Sequence, residues 1–240
     1  MITTIPRATT QAQAWPIIEI FGPVIQGEGA MIGRQTHFIR TGGCDYRCVW
    51  CDTPYAVLPD EVRANSVRMG TDEIVTRLSE LSSATPWVTL SGGNPALHEL
   101  GPLVAAMQRT GFQVAVETQG SLYRSWLEDC DLVTISPKPP SSAMTPDLAA
   151  LARFVTLPGA NLKVVVFDEL DFAFARLVHE RFPSVPFYLQ VGNDIGADTA
   201  EALLRKLDWL ANRMMADPAM ADAVVLPQLH VLLYGNRRGV

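Results

Sequence analysis

Three cysteines within eight positions carry the clearest chemistry in this sequence. The segment reads Thr41-Gly42-Gly43-Cys44-Asp45-Tyr46-Arg47-Cys48-Val49-Trp50-Cys51-Asp52-Thr53, a Cys-x3-Cys-x2-Cys spacing. Thiolates this close can converge on one metal centre, either zinc or an iron–sulfur cluster. Gly42 and Gly43 let the backbone curl towards that centre without Cβ clashes. A closed zinc site needs a fourth ligand and an electron-transfer cluster usually takes four cysteines. The remaining cysteine, Cys130, ends a helix-like stretch with no partner nearby and reads as a buried structural thiol. His37, His98, His179 and His230 are scattered. Three ligands and one open iron is the simpler reading, with a structural zinc knot as the alternative.

The elements that must position this loop follow from periodicity. Short apolar runs at 17–21, 37–40, 87–90, 113–117, 132–135, 162–166 and 187–190 read as strands. Helices are expected at 71–82, 99–109, 170–181 and 199–214. The first has Thr71 as N-cap, acids Asp72 and Glu73 in its first turn, and Ile74, Leu78 and Leu81 on one face. Apolar strands alternating with amphipathic helices indicate an α/β fold with a parallel sheet and crossover helices. About six βα units are too few for an eight-stranded barrel, so a partial (β/α) barrel or an open doubly wound sheet is expected. In either, chemistry gathers where strands end, and the unusual residues stand there: Ser91-Gly92-Gly93-Asn94, Glu117-Thr118, Ser136-Pro137-Lys138 and Gln190. Lys163, inside an apolar strand, is left without a role.

Composition narrows the class. The 240 residues are 48 % hydrophobic and 18 % charged, with a formal net charge of -6. A broad phosphate-binding face is usually basic, so a nucleic-acid partner is not expected. No apolar run approaches the roughly 20 residues of a membrane span, and 1–15 lack a secretory h-region. A cytoplasmic location is the default expectation. Residues 1–14 read as a loose tail and 15–240 as one domain. The apolar residues Val224-Val225-Leu226 and those from Leu229 to Tyr234 suggest that the C-terminal segment is docked.

The cysteine spacing, with an aromatic before the last cysteine, resembles the signature of the radical S-adenosylmethionine (SAM) superfamily. Gly92-Gly93-Asn94-Pro95 is similar to its Gly-Gly-Glu-Pro motif, with Asn94 in place of Glu. Gln26-Gly27-Glu28-Gly29, Phe38-Ile39-Arg40, Cys51-Asp52-Thr53, Glu117-Thr118-Gln119-Gly120 and the C-terminal segment from Leu226 to Val240 resemble, within that superfamily, the 7-carboxy-7-deazaguanine synthase family. The likeness runs from about Ile17 to Val240. It implies a radical SAM partial barrel with a 4Fe–4S cluster on Cys44, Cys48 and Cys51. It further implies SAM contacts from Val49, Trp50, Gly93, Asn94, Glu117, Ser136, Lys138 and Gln190. The pterin substrate, 6-carboxy-5,6,7,8-tetrahydropterin, would meet Ile25, Gln26, Gly27, Arg40, Ser91 and the carboxylate of Val240. Thr53 would contact Mg2+. The implied reaction is a ring contraction with loss of ammonia, in 7-deazapurine (queuosine) biosynthesis. An electron donor such as a flavodoxin and a homodimer are also expected. The rivals are a glycyl-radical activase, which shares the cluster loop and size, and a metal-stabilised binding module without catalysis.

Overall fold

The computed structural model describes residues 13–82, 84–195 and 199–239. Among these residues nine strands form one sheet: β1 (Ala14–Ile25), β2 (Gln35–Thr41), β3 (Val67–Gly70), β4 (Trp87–Gly92), β5 (Gln113–Thr118), β6 (Leu132–Ile135), β7 (Ala160–Val166), β8 (Phe187–Val191) and β9 (Val224–Leu226). The helices are α1 (Pro54–Val57), α2 (Pro59–Asn65), α3 (Thr71–Leu81), α4 (Gly101–Arg109), α5 (Leu151–Phe154), α6 (Glu169–Arg181), α7 (Ala200–Met215) and α8 (Leu229–Tyr234). The spatial order is β3-β1-β2-β4-β5-β6-β7-β8-β9.

From β2 to β9 all pairings are parallel. β1 departs from the all-parallel expectation, pairing antiparallel with both β2 and β3. The physical reason is the connection between β1 and β2, which is too short to hold a crossover helix. α3 starts at Thr71 with Gly70 rather than Thr71 as its N-cap, and no side chain caps it. Residues 1–12 of the expected tail lie outside the described residues. Gln13 donates to the Glu99 carbonyl at 2.9 Å and Ala14 already opens β1, so the tail reading stops short of residue 14.

Alternation along each parallel strand sorts two layers. Ile39, Leu90, Val116, Val133, Val164 and Leu189 face the helices and are fully buried in the apolar core. α3 contributes Ile74 and Leu78, α4 Leu103 and Met107, and α6 Phe172 and Val178. The other face carries Phe38, Arg40, Ser91, Glu117, Lys163 and Val165, all lining one cavity. The sheet curls around that face. Gln26 follows β1 yet donates to Glu117 of β5 at 3.1 Å, although in a flat sheet two intervening strands would separate them by about 14 Å. The result is a partial, unclosed barrel with β3 and β9 as edges. The β1–β2 connection bridges the gap: its single 3-10 turn, Gly29–Met31, contacts β7 and β8.

Candidate functional site

The cavity sits at the C-terminal ends of the parallel strands, where side chains can converge without interrupting the ladder. The cysteine loop leaves β2 and forms one wall. Its backbone is anchored rather than free: Gly42 N–H donates to the Pro16 carbonyl at 2.8 Å, Gly43 N–H to Ala56 at 2.7 Å, and Asn94 N–H to Gly43 at 2.8 Å. Gly43 has φ +102°, and a Cβ on Gly93 would meet the Gly43 oxygen at 2.2 Å. Only two glycines allow the β4 turn to lie against the cysteine loop this closely. From the far side, Val49 N–H donates to the Ser142 carbonyl at 3.1 Å and Trp50 Nε1 to Ser141 Oγ at 3.0 Å. The turn bearing Ser141 is itself held by the buried Asp171, whose carboxylate accepts from Ser141 N–H and Phe167 N–H, both at 3.0 Å.

Cys44, Cys48 and Cys51 are free, half-buried and on the cavity surface. Burial raises the Cys44 and Cys48 thiols, and the nearby Lys138 ammonium opposes that rise. Binding to a metal removes the thiol proton outright. Cys130 lies elsewhere, buried in the core with its thiol on the Trp126 carbonyl, and burial pushes it up to about 12. Among the described residues, no three His, Cys, Asp or Glu side chains are grouped so as to hold a single metal ion. Three free thiols on one cavity wall fit a cluster in which each thiolate takes a different iron.

The cavity floor is a buried polar network. Lys163 pairs with Glu28 and lies 3.7 Å from Glu117. Gln228 donates to the other oxygen of Glu28 at 3.0 Å. Burial would raise Glu28, but the charges of Lys163 and His230 outweigh it and hold this carboxylate well below its ordinary range. Lys163, which burial would lower, is raised by Glu117 and Glu28. Gln26 Oε1 accepts from Gly27 N–H at 2.7 Å and Glu28 N–H at 3.2 Å, which fixes the loop. Gly27 is needed for a close approach: a Cβ there would meet His230 Nδ1 at 2.1 Å. Lys138, half-buried on the cavity wall, donates to Ser136 Oγ at 3.1 Å and lies 5.8 Å over the Trp50 ring; burial lowers its pKa. Phe21 and Phe38 stack at 5.2 Å on the opposite wall.

The cavity thus gathers Ile25, Gln26, Gly27, Arg40, Trp50, Thr53, Ser91, Gly93, Glu117, Ser136 and Lys138 beside the three cysteines. Three expected contacts stand apart from its lining. Asn94 is 0 % exposed and fully committed. Its oxygen accepts from Thr118 Oγ1 at 2.9 Å and Ala96 N–H at 3.2 Å; its amide donates to Asp45 at 2.8 Å and Ser121 at 3.2 Å. Gln190 is buried behind the floor, accepting from Gly29 N–H at 3.4 Å and donating to the Pro227 carbonyl at 2.5 Å. Val49 is 73 % exposed. Val240 lies outside the described residues. Lys163, His230, Gln228, Phe21 and Phe38 were not assigned a site role from the sequence. A lysine inside the run Ala160–Val166 was the one signal available for them.

Comparison with known proteins agrees with this geometry. The profile of the radical SAM superfamily matches residues 38–138, from β2 through Lys138. A 7-carboxy-7-deazaguanine synthase from Bacillus cereus is 46 % identical over 237 residues, covering 94 % of this chain and 98 % of that one. The protein of the same name from Bacillus subtilis is 43 % identical, covering 95 % and 100 %. The chain belongs to the 7-carboxy-7-deazaguanine synthase family. As a family member it is a radical SAM enzyme, for which a 4Fe–4S cluster and SAM are the implied cofactors. The crystal structure of QueE from Escherichia coli shares the fold, with a TM-score of 0.64 at 22 % identity over 90 % of this chain and 95 % of that one.

Proposed function

We propose that this enzyme is a carbon–nitrogen lyase that converts 6-carboxy-5,6,7,8-tetrahydropterin to 7-carboxy-7-deazaguanine with loss of ammonia, in queuosine-type 7-deazapurine biosynthesis. The observation that carries this reading is that one cavity presents three free thiols, a cationic fork at Arg40 and a polar floor. Cys44, Cys48 and Cys51 would hold the cluster. When bound, the reduced cluster and SAM supply one-electron cleavage and hence hydrogen-atom abstraction from pterin C6. The chain's residues do the rest by binding and orientation. Trp50, the Gly93 backbone, Glu117, Ser136 and Lys138 border the SAM site on the cysteine side. Glu117 suits a ribose diol, and a hydroxyl pair there offsets the cost of a half-buried carboxylate.

On the opposite side, Arg40 offers its planar fork to the pterin carboxylate. Gln26, Gly27 and Ser91 supply polar edges to the ring, and Ile25 packs beside it. Mg2+ is assigned to Thr53, with most of its remaining ligands being water and substrate oxygen. Val49 and Arg47 expose the face nearest the cysteines, where an electron donor such as a flavodoxin would approach. The enzyme is further read as a cytoplasmic homodimer. No helix of the described residues is long and apolar enough to cross a membrane.

The test is an anaerobic assay of iron-loaded protein with reductant, SAM, Mg2+ and the pterin, read by product mass. The expected result is 7-carboxy-7-deazaguanine, absent in Cys48→Ala. SAM cleavage without that product would keep the superfamily and discard the substrate.

A further inference from the structure

Glu19 joins the cavity to the C-terminal segment. It stands on β1, paired with Arg40 in the β1–β2 register. Its Oε1 accepts from Arg40 Nε at 2.7 Å and from the Tyr55 hydroxyl at 3.3 Å. Its Oε2 accepts from Arg238 Nε at 2.6 Å. Arg238 follows α8 and lays its guanidinium 4.0 Å over the Tyr55 ring. One carboxylate is therefore shared between an arginine on the cavity wall and an arginine on the C-terminal segment.

The way Arg40 is held matters. Glu19 grips it by Nε alone, and among the described residues its two terminal nitrogens have no protein partner. That leaves the outer edge of the fork, the edge that binds a carboxylate in two parallel hydrogen bonds, unpaired on a residue that lines the cavity. Glu19 has thus fixed the orientation of Arg40 without occupying its binding edge. The local charge, however, depends on Arg238. Arg40 is cancelled by Glu19, and Asp52 on the same wall also acts on Arg40. Without Arg238 the Glu19 carboxylate is offset by Arg40 alone, which weakens the pull of the free Arg40 edge on an anion. With Arg238 on the second oxygen of Glu19 that carboxylate is offset twice, and the free edge of Arg40 acts more strongly.

We propose that Glu19 is a positioning residue that couples docking of the C-terminal segment, through Arg238, to capture of the substrate carboxylate by Arg40. The proposal rests on the assignment of Arg40 to that carboxylate. Closure of the segment and binding of the anionic group then favour each other, because each is stronger when the other is present.

The test is equilibrium binding to the anaerobic, cluster-loaded holoenzyme with SAM and Mg2+ at fixed concentration and no reductant, so that nothing turns over. Two ligands are compared: 6-carboxy-5,6,7,8-tetrahydropterin and tetrahydropterin without the carboxylate. In Arg238→Gln the carboxylated ligand is expected to weaken about five- to tenfold, while the other stays within about twofold. Adding Glu19→Gln to that variant should restore most of the loss, because the charge that Arg238 neutralises is gone while the amide oxygen still accepts from Arg40 Nε. A loss equal for both ligands, no loss, or a double variant as weak as Arg238→Gln would overturn the coupling. Arg40→Gln is the control for the underlying assignment. If it leaves the preference for the carboxylated ligand unchanged, the carboxylate binds elsewhere and the assignment itself fails.

Discussion

On β7 the two faces of the sheet are almost equally buried and chemically opposite. Along β7, Leu162, Val164 and Val166 pack into the apolar core, while Lys163 and Val165 between them face the cavity. The core face is held by contact with helices, where shape decides the energy. The cavity face is held by charged and polar groups that satisfy one another: Lys163 with Glu28 and Glu117, Glu28 with Gln228, and Gln26 with Glu117. A network of this kind fixes positions sharply only while every member is present. The lesson is that burial on the two faces of β7 serves different ends, stability on one side and orientation of a site on the other.

The largest expected effect comes from removing the centre of the network. Lys163→Met leaves Glu28 and Glu117 facing each other without their shared cation and should cost about 3–5 kcal/mol. SAM and pterin binding should weaken as well. Denaturant unfolding with parallel binding titrations reads both. A variant as stable as the parent would show that the network contributes little. On the opposite face, Leu189→Ala removes a fully buried side chain and should cost about 2–5 kcal/mol. Its folded fraction should nonetheless bind both ligands with unchanged affinity, so a shift in ligand affinity there would blur the division between the faces.

Asn94→Glu sharpens the boundary between the two layers. From sequence the substitution looks restorative, since the superfamily motif carries Glu. In the structure it removes the amide donors to Asp45 and Ser121 and sets a second carboxylate against Asp45. The expected cost is about 1–3 kcal/mol, together with lower iron content after reconstitution, measured by thermal unfolding and iron assay. An unchanged protein would mean that the cysteine loop does not lean on Asn94.

How much of this was legible in the sequence follows the same division. The core-facing strands and α3, α4, α6 and α7 are written in apolar periodicity, and their observed bounds fall within a few residues of those expected. β3 and β9 are short edge strands of four and three residues, too brief for a period to register. The antiparallel course of β1 depends on connection length and pairing, which alternation does not encode. The site was legible where residues sit on strand ends or in the cysteine loop. It was not legible where a role depends on two distant segments meeting, as with Glu28 and Gln228 or Glu19 and Arg238. Asn94 and Gln190 stand at the expected strand ends, but their side chains turn into structural hydrogen bonds instead of the cavity. Motif position fixes the backbone there and leaves the side-chain direction open.

A smaller effect lies in the acid limb of stability. Glu28 has its folded pKa lowered from the ordinary 4.5 to about 2. Its contribution is present above the unfolded value and is lost as pH falls through the folded one, because the unfolded chain takes up the proton first. The stability gap between the parent and Glu28→Gln should therefore be widest above pH 4.5 and close towards pH 2, as followed by denaturant midpoints across that range. The raised Lys163 acts at the other end: its contribution is intact below the ordinary 10.5 and is lost only as pH rises through the higher folded value. A gap that stayed constant from neutral to acid pH would mean that Glu28 is not held ionised by its neighbours.

The smallest effect separates the thiols. Cys130 belongs to the apolar layer, 2 % exposed, and burial raises its thiol to about 12, so almost none of it is thiolate at neutral pH. Cys44, Cys48 and Cys51 stand half-buried on the cavity wall. Cys130→Ala should cost about 1 kcal/mol, leave bound iron unchanged after reconstitution and leave turnover within error. Cys48→Ala should do the reverse, changing the unfolding midpoint little and removing the iron. In the native apoprotein, alkylation should mark the three loop cysteines and spare Cys130, since reactivity follows thiolate fraction and access. If Cys130→Ala lost iron, a fourth protein ligand would be in play, and the open iron on which the whole cavity reading depends would disappear with it.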